Sequence, residues 1–597
     1  MPSYNAPLRD MHFVMHEVLN VQEVYKSLPA HQEVDQDTIQ QILEQAAKFA
    51  KEVVQPLNQI GDKQGCTRHD DCSVTTPAGF KEAYEQYVQA GWPALACSPD
   101  YDGQGLPVLL NTALYEMLNS ANQAWTMYPG LSHGAYECLK AHGTPEQKSL
   151  YLKKLVSGEW LGTMCLTEPH CGTDLGLLKT KAELQSDGTY AITGTKIFIS
   201  SGEHDLGQNI IHLVLARLPD APSGTKGISL FVVPKYLPNK LGDISAQNKN
   251  TLSCGSLEDK MGIHGNATCV MNFDGARGTL VGEPHKGLRA MFIMMNAARL
   301  GVGMQSVGLT EVAYQNSAAY AKERLQMRSL KGAQAPDKVA DPIIVHPDVR
   351  RMLLTQRAYA EGARAFAYWV ALMIDIEQNH PDPSEREAHA DLVTLLTPIV
   401  KAFITDNAFT ATSEGLQVFG GHGYIADWGM EQFVRDSRIN MIYEGTNTIQ
   451  SLDLLGRKVL SDMGSKLKKF GKIIEAFIEK EGVRKEMAEF IDPLAELADK
   501  VEKLTKEIGL KAMLNHNEVG AAAVPYLRVL GHLVYAYLFA KMARVALDNK
   551  KSTDAFYEAK LATARFYFAR LLPETASQIR FARAGASSLM SLDAALF

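Results

Sequence analysis

Cysteine is scarce in this chain, and its spacing does not match that of a metal site. Only 8 of the 597 residues are cysteine, and none of them forms a C-x-x-C motif. Neither a disulfide framework nor a zinc site is indicated, so we expect no metal and reduced thiols in the cytoplasm. Several nucleotide and hydrolase motifs are missing as well. No G-x-G-x-x-G follows a predicted strand, and the chain has no P-loop, G-x-S-x-G or H-E-x-x-H motif.

Uninterrupted apolar runs and an excess of basic charge are also lacking. The most apolar late segment, residues 524–547, contains Arg528, His532, Lys541 and Arg544, so we predict no membrane span. The formal net charge is −7, which gives no basic footprint for nucleic acid. Apolar residues make up 46% and charged residues 21%, the balance of a soluble globular protein long enough for several domains.

Hydrophobic periodicity divides the chain into five segments. We predict an N-terminal arm at residues 1–35, a helical domain at 36–160 and a β domain at 161–285, followed by helical domains at 286–460 and 461–597. In the third segment the period changes to two, and five candidate strands follow one another without helices between them. Their ranges are 161–167, 190–200, 210–218, 227–234 and 269–275. This order predicts an α+β protein with an antiparallel β domain.

The most informative stretch is Arg435–Gln450, which reads RDSRINMIYEGTNTIQ. Glu444 ends a short apolar run, and a helical pattern opens with Asn447, which approximates a capping box with Gln450. Glu444 is therefore predicted to lie just outside a helix N-terminus, where N–H groups and the helix dipole favour negative charge. Apolar neighbours would raise the pKa of this carboxylate and make it a better base. The simpler alternative is an acid that only complements the dipole.

Two strand ends in the predicted β domain offer surfaces for a flat ligand. The first strand leads into TEPHCGTD, residues 167–174, where Pro169 ends the pairing and Gly172 permits a tight turn. The second strand ends in KIFISSG, which places Phe198 and Ser200 on the same side. An ordinary β turn and a half-buried core aromatic are the alternatives.

Two helix ends have residue types that suit a phosphate-bearing ligand. Arg324 lies in E-R-L-Q at the end of one long helix, and Gln417–Gly423, QVFGGHG, ends another. Arginine can pair with a diphosphate through two hydrogen bonds, and a Gly-Gly backbone permits close approach. Alternatively, the arginine complements a helix dipole and the glycines cap a helix.

Five of these stretches occur together in the order found in the acyl-CoA dehydrogenase family, which the chain resembles. The matching motifs, all within residues 37–460, are L-T-E-P-x-x-G-T-D, K-x-F-I-S-x-G, E-R-x-Q, Q-x-x-G-G-x-G-Y and R-D-x-R-I-x-x-I-Y-E-G-T-N. The resemblance implies an N-terminal helical domain, a middle β-barrel domain and a C-terminal four-helix bundle, with FAD between them. The extra helical segment after residue 460 resembles the long bacterial subgroup, so a bacterial protein is expected.

By this resemblance Glu444 matches the family's catalytic base, which takes the α-proton of an acyl-CoA thioester. The β-hydrogen leaves as hydride to flavin N5, and a trans-2-enoyl-CoA forms. The thioester oxygen would accept hydrogen bonds from the backbone N–H of Glu444 and from a flavin ribityl hydroxyl. The implied substrate is a fatty acyl-CoA or 3-methylthiopropionyl-CoA, and the implied partners are an electron-transferring flavoprotein and one or three further copies of the chain.

The resemblance also assigns ligand-binding positions. Residues expected to contact FAD are Met164, Leu166, Thr167, Gly172, Thr173, Phe198, Ile199, Ser200, Arg324, Gln326, Gln417, Gly420, Gly421, Thr446 and Thr448. Of these, Arg324, Gln326 and the Gln417–Gly421 turn are expected to reach the diphosphate region of FAD in a neighbouring subunit. Residues expected to contact the substrate are Thr173, Asn296, Arg299 and Gly445. Asn296 replaces a frequent Asp, Phe198 replaces a frequent Trp, and Gln326-Met327-Arg328 departs from the family's usual Q-F-G.

Three other functions stay open at this point. An acyl-CoA oxidase would use O₂ as acceptor, but the motif wording and the C-terminal AALF, which is no peroxisomal signal, favour a dehydrogenase. A DNA-binding flavoprotein of the same fold needs a basic stripe, whereas the charges of residues 461–597 are mixed. A structural scaffold has no use for Glu444.

Overall fold

The computed structural model describes residues 2–597, which form two compact units. The β-containing unit is Ala46–Gly301, and the helical unit consists of the chain up to Gln45 together with Val302–Phe597. The predicted domain boundaries stay a prediction, because the two units divide the chain in a different way.

The helices that precede the large sheet in the chain match the predicted helical arm and domain. They are α1 (Leu8–His12), α2 (Val21–Lys26), α3 (Gln36–Phe49), α4 (Asn58–Gln64), α5 (Phe80–Gln89), α6 (Val108–His142) and α7 (Pro145–Val156), with π-helical turns at Phe13–Val18 and Ala50–Val54. Helix α6 is interrupted at Asn122, whose φ of −165° and ψ of 96° are not helical. The start of α7 is determined locally, because Thr144 and Gln147 form a capping box and Pro145 occupies the first turn.

The strands include all five that the sequence predicts. They are β1 (Thr67–Arg68), β2 (Val74–Thr75), β3 (Trp160–Cys165), β4 (Lys181–Leu184), β5 (Tyr190–Ser200), β6 (Asn209–Arg217), β7 (Ile228–Pro234), β8 (Leu252–Leu257) and β9 (Thr268–Val281). Strands β1 and β2 form a separate hairpin. The additional strands are short, and three of the four residues of β4 are exposed, so they lack a clear hydrophobic alternation.

Five of the strands close into a barrel. Pairing runs from β4 to β5, β9, β7 and β6, and β6 returns to β4. The predicted antiparallel arrangement holds for most pairs, but β6 lies parallel to β3 from Trp160 to Cys165 and parallel to β4 where Lys181 pairs with Arg217. The β3–β6 pair departs from the prediction because the connection between the two strands contains β4 and β5 and is long enough to return the chain in the same direction.

Strand β6 separates two hydrophobic clusters and is therefore buried on both faces. Val214 and Ala216 belong to the cluster that also contains Phe231 and Phe273 of the barrel. On the opposite face, Ile211, Leu213 and Leu215 join side chains of α6 and α7. A strand covered on both faces reads as a continuous apolar run, as IIHLVLA does.

Long helices make up the helical unit, which includes α8 (Gly287–Glu323) from residue 302 onward. The others are α9 (Pro347–Asn379), α10 (Pro383–Val418), α11 (Gly421–Tyr424), α12 (Met430–Ile439), α13 (Asn447–Leu452), a π-helical turn (Asp453–Leu460), α14 (Ser465–Glu481), α15 (Ala488–Leu514), α16 (Asn517–Asp548), α17 (Ala555–Phe566), a second π-helical turn (Tyr567–Leu571), α18 (Glu574–Ala584) and α19 (Ser587–Met590). Helix α9 packs against α10, and α13 packs against both α10 and α16.

A buried group of charges joins three parts of the helical unit. Arg364 of α9 is 1% exposed and contacts Asp10 of α1 at 2.5 Å and Glu311 of α8 at 2.7 Å. Lys560 of α17, equally buried, contacts Asp10 and lies 3.0 Å from Glu361. Because a buried charge without its partner is strongly destabilising, this group connects the N-terminal arm, the bundle and the last segment.

Two helices of the helical unit, α10 and α16, are long and apolar enough to cross a membrane. Their most apolar windows are 78% and 67% buried within the protein, as is usual for core helices of a folded domain. The predicted absence of a membrane span stays a prediction.

Candidate functional site

Glu444 lies in a left-handed turn directly before α13. Its φ is 57° and that of Gly445 is 86°, and α13 begins at Asn447. The predicted position outside a helix N-terminus is therefore confirmed. A residue with a Cβ in this region costs about 1–2 kcal/mol, and such a conformation persists only where the surrounding structure holds it. Glu444 is partly exposed, and its neighbour Ile442 is 46% exposed, so the apolar run lies at the surface of the helical unit.

The predicted capping box is wrong. The N-cap of α13 is Thr446, whose hydroxyl accepts a hydrogen bond from the Ile449 N–H at 3.3 Å. Asn447 instead donates from its side-chain amide to Asp406 Oδ1 of α10 at 2.6 Å. Gln450 donates to the carbonyl oxygen of Glu444 at 3.0 Å. Asn447 and Gln450 thus hold the turn rather than form a capping box. The sequence pattern could not show this, because the partner of Asn447 lies on α10.

In the β-containing unit, a buried ion pair fixes the TEPHCGTD loop against β5. Glu168 is 3% exposed and accepts hydrogen bonds from Lys196 Nζ at 2.8 Å, from Lys179 N–H and from the Thr180 N–H and hydroxyl. Burial alone would raise the pKa of Glu168, but Lys196 and the hydrogen bonds outweigh it and lower the pKa below its usual value. Lys196 also donates to the Leu166 carbonyl oxygen, and the Ile197 N–H donates to the Thr167 carbonyl oxygen.

Phe198 lies where the pairing of β5 with β9 is irregular. The register shifts between Lys196 and Ile199, φ of Phe198 is 57°, and 59% of the side chain is exposed. A strained backbone that presents an aromatic ring at the surface is typical of a binding position. The structure therefore brings the two predicted strand ends together, and Phe198 is their exposed aromatic residue.

The two predicted phosphate positions also lie next to each other. Tyr320 of α8 stacks on Phe419 at 4.1 Å between ring centroids, and its hydroxyl is 2.9 Å from His422 Nδ1. Arg324 lies one helical turn beyond Tyr320; its side chain is exposed and has no hydrogen-bond or ion-pair partner within residues 2–597. Gly420 has φ 59° and ψ −137°, which only glycine adopts readily, and the space around its α-carbon is open.

One buried residue, Asp341, organises the loop after Arg324, in which Gln326-Met327-Arg328 replaces the family's usual Q-F-G. Asp341 is fully buried and accepts hydrogen bonds from the Ser329, Gln334 and Ala335 N–H groups. These hydrogen bonds, that of Ser329 above all, lower the pKa of Asp341 to about 2. Arg328 pairs with the same carboxylate at 3.3 Å. Arg328 in place of the family's glycine thus stabilises the loop by an ion pair.

The remaining predicted positions differ in how accessible they are. Gly172, Thr173, Gln326, Gln417, Gly421 and Thr448 are exposed, whereas Met164, Thr167, Ser200, Gly445 and Thr446 are partly exposed. Leu166 and Ile199 belong to the hydrophobic clusters, so only their backbones are available to a ligand. Asn296 is exposed, but Arg299 is 7% exposed and lies 3.4 Å from Asn296 Oδ1. A contact of Arg299 with CoA stays a prediction.

Lys401 and Asp406, both beside the Glu444 turn, were missed by the sequence reasoning. Lys401 is completely buried in α10, and its Nζ donates to the Gly445 carbonyl oxygen and to Asn447 Oδ1, each at 2.8 Å. A single lysine inside the apolar run IVKAFI was the available signal, since an unpaired lysine is rarely buried.

Each unit, taken by itself, has residues that suit one part of a ligand with a flat ring and a diphosphate. In the β-containing unit, Phe198 presents an exposed aromatic surface for a ring. In the helical unit, the side chain of Arg324 is a cation without a partner within residues 2–597, and the backbone of Gly420 and Gly421 is open. Aromatic stacking and a guanidinium close to accessible backbone are the contacts that FAD requires.

Sequence profiles of known domains cover most of the chain. Residues 36–159, 163–276 and 285–460 match the N-terminal, middle and C-terminal domains of acyl-CoA dehydrogenase, and residues 470–593 match the domain described as acetyl-CoA dehydrogenase C-terminal like. With the fold described above, these matches show that the chain belongs to the acyl-CoA dehydrogenase family of flavin-dependent oxidoreductases. The resemblance noted from the five motifs is confirmed.

Individual relatives are similar to this chain over nearly its whole length. The chain is 42% identical over 581 residues to 3-methylmercaptopropionyl-CoA dehydrogenase of Ruegeria pomeroyi, covering 96% of this chain and 97% of that protein. It is 34% identical over 620 residues to the broad-specificity linear acyl-CoA dehydrogenase FadE5 of Mycobacterium tuberculosis, with both chains covered completely. The fold is that of an acyl-CoA dehydrogenase complexed with FAD from Bacillus anthracis, with a TM-score of 0.74, 20% identity and coverage of 94% and 90%.

Proposed function

We propose that this protein is an FAD-dependent acyl-CoA dehydrogenase in which Glu444 removes the α-proton of the substrate. The observation that supports this role best is the left-handed turn at Glu444 and Gly445 immediately before α13. The backbone of this turn is held by hydrogen bonds, including the one from Gln450 to the carbonyl oxygen of Glu444, so the base extends from a fixed position. The position lies next to the N-terminus of α13, where the helix dipole favours negative charge.

In the proposed reaction, a carboxylate oxygen of Glu444 takes a proton from the α-carbon of the thioester. The backbone N–H of Glu444 donates to the thioester oxygen as negative charge develops there, so one residue supplies the base and a stabilising donor. FAD, when bound, supplies the acceptor for the β-hydride. Gly445 follows the base without a side chain, which leaves room for the Gln450 amide that donates to the carbonyl oxygen of Glu444.

For the cofactor, we propose two groups of contacts. Phe198, Ser200 and the exposed Gly172–Thr173 backbone would hold the ring system, with Thr446 and Thr448 beside the base. Arg324, Gln326, Gln417 and the Gly420–Gly421 backbone would hold a diphosphate. The exposure of Phe198 and the lack of an internal partner for Arg324 within residues 2–597 support this assignment.

For the substrate, we propose a short acyl thioester of the 3-methylmercaptopropionyl type rather than a long fatty acyl-CoA. The support is the higher identity, 42% against 34%, to the relative named for that thioester. We further propose an electron-transferring flavoprotein as acceptor, a homo-oligomer as the assembly and the bacterial cytoplasm as the location. The family membership and the bacterial relatives support these points.

The test is a panel of acyl-CoA thioesters with the yellow holoenzyme under anaerobic conditions. We expect the substrate to bleach the flavin absorbance near 450 nm. We expect the highest kcat/KM for 3-methylmercaptopropionyl-CoA, by about tenfold over the acyl-CoA of equal chain length in which a methylene replaces the sulfur. Reoxidation of the bleached enzyme by O₂ as fast as by an electron-transferring flavoprotein would instead identify an oxidase. Failure of every thioester to bleach the flavin would refute the proposal.

Replacing Arg324 by glutamine is expected to weaken FAD binding by about tenfold, since a charge-assisted hydrogen bond to a phosphate contributes roughly 1.5–3 kcal/mol. The dissociation constant is measured by fluorescence titration of the apoprotein with FAD. Lys322→Gln is a matched control, because Lys322 is an exposed cation two residues earlier on the same helix end. Equal FAD affinity in the two variants would remove Arg324 from the cofactor site.

A further inference from the structure

The turn that contains Glu444 is held by a buried lysine of α10. Lys401 Nζ donates to the carbonyl oxygen of Gly445 and to Oδ1 of Asn447, both at 2.8 Å, and Lys401 has no exposed surface. The carbonyl oxygen of Gly445 lies before α13 and outside any helical hydrogen-bond pattern, so it needs a partner from elsewhere. Lys401 is therefore directly coupled to the residue that follows the proposed base.

The same turn is held a second time, through Asp406. The Asn447 side-chain amide donates to Asp406 Oδ1 at 2.6 Å and to Thr405 Oγ1 at 2.9 Å. Burial raises the pKa of Asp406, while Arg528, the hydrogen bond from Asn447 and Lys401 oppose this rise. Two cations, Lys401 on the same helix and Arg528 of α16, thus act electrostatically on the carboxylate of Asp406.

Arg528 belongs to the segment that follows residue 460 and reaches α10 from outside. Its Nη1 donates to Asn407 Oδ1 at 2.8 Å, and its guanidinium lies 4.7 Å from the ring centroid of Phe403. Two further hydrogen bonds, at 2.9 and 2.7 Å, connect Arg528 to the carboxylate of Glu574. His532 lies 3.2 Å from the same carboxylate. The guanidinium of Arg528 is therefore held by Asn407 of α10 and by the carboxylate of Glu574.

We propose that Lys401, Asp406 and Arg528 are positioning residues for the proposed catalytic base, and that the segment 461–597 contributes to catalysis through Arg528. We call these three side chains, with Asn447, the turn support. The inference rests on the proposed function of Glu444. It assigns a role in catalysis to residues 461–597, which lie outside the segment that contains Glu444.

The chemistry of the turn support favours positioning over simple packing. Two cations, Lys401 and Arg528, are balanced by two carboxylates, Asp406 and Glu574, in a largely buried place. Apolar side chains of similar size would join α10 to α16 at least as stably, because buried charges lose hydration. Directional hydrogen bonds, in contrast, determine where the backbone of Gly445 and Asn447 lies. A left-handed turn requires this kind of restraint.

The test compares Arg528→Gln with Arg565→Gln in FAD-loaded enzyme. Arg565 belongs to the same segment and pairs with Glu489 by three hydrogen bonds at the surface, so it serves as a matched control. For Arg528→Gln we expect kcat per bound flavin to fall about tenfold with KM within twofold, since a small displacement of a reacting group costs up to about 100-fold. The control should keep the wild-type kcat. Measurements well below each variant's unfolding midpoint separate this effect from lost stability.

Lys401→Met is the second variant, because it keeps the length of the side chain and removes both hydrogen bonds to the turn. We expect a loss in kcat of about 30-fold, again with full flavin content.

Arg528→Lys replaces Arg528→Gln if the latter does not fold, with an expected loss of about threefold from the missing bidentate contact. Wild-type kcat per flavin in Lys401→Met and in the Arg528 variant would overturn the inference. A Glu444 variant that keeps wild-type turnover would refute the proposed function, which is a different result.

Discussion

Replacing Glu444 by glutamine is expected to lower kcat for acyl-CoA oxidation by about 10²- to 10⁴-fold, while FAD stays bound at the wild-type level. The range is what a positioned general base usually contributes. Glutamine keeps the size of the side chain, and the backbone N–H at this position is unchanged, so the turn and its donor should persist. The measurement is anaerobic flavin bleaching by substrate in a stopped-flow instrument, with flavin content determined from the absorbance spectrum.

The control for this variant is Glu385→Gln, which removes a carboxylate with a side chain 52% exposed from the first turn of α10 in the same unit. It should bleach at the wild-type rate. Bleaching of the Glu444 variant at the wild-type rate would show that another group takes the proton. Loss of FAD from that variant would also contradict the expectation, because it would mean that the carboxylate maintains the fold of the site.

Replacing Lys196 by methionine is expected to lower the free energy of unfolding by about 3–5 kcal/mol at neutral pH. Lys196 has no exposed surface, and its partner Glu168 is 3% exposed. The variant leaves a buried carboxylate with neutral donors only, and removal of one partner from such a pair has effects of this size. Urea denaturation measures the change. Lys179→Met is the control, since Lys179 is exposed and contributes only its backbone N–H to Glu168.

The pH dependence of this variant follows from the sign of the shift at Glu168. In the wild type the pKa of Glu168 is lowered from 4.5, so its contribution to stability is present above 4.5 and is lost as the pH falls through the lower folded value. Without Lys196, burial raises the pKa of Glu168, so the folded variant gains stability as the pH falls toward 4.5 and below. The gap between wild type and variant should narrow from about pH 8 to about pH 4. Glu168→Gln in the same background should recover part of the loss at neutral pH.

Local sequence patterns predicted the strands and helix starts that depend mainly on the residues within them. The five predicted strands, which have alternating or continuous apolar patterns, and the helix start after Glu444 are all present. Strands β4 and β8 were not predicted, because one is polar and short and the other contains Gly255 in its middle. The N-cap of α13 was assigned one residue too late, since Asn447 and Thr446 are equally good caps and only the contact with Asp406 decides between them.

Contacts between distant parts of the chain could not be predicted from a single sequence. Lys401 and Asp406 are on α10 and Arg528 is on α16, whereas Glu444 lies in the turn before α13, and no spacing rule relates them. In the same way, Glu168 pairs with Lys196 and so joins two motifs. The sequence shows only that one motif follows the other along the chain, not that they are in contact. The parallel pairing of β3 with β6 depends on where the chain returns after β5, which is a property of the closed barrel.

The buried contact between Asp10 and Lys560 has a consequence for biosynthesis. Asp10 is translated before Arg364, and Arg364 is translated before Lys560, so the two cations that contact Asp10 are made one after the other. The carboxylate of Asp10 therefore lacks its full set of charge partners until Lys560 has been made. Complete burial of this carboxylate has to follow the synthesis of α17, and until then the carboxylate stays hydrated.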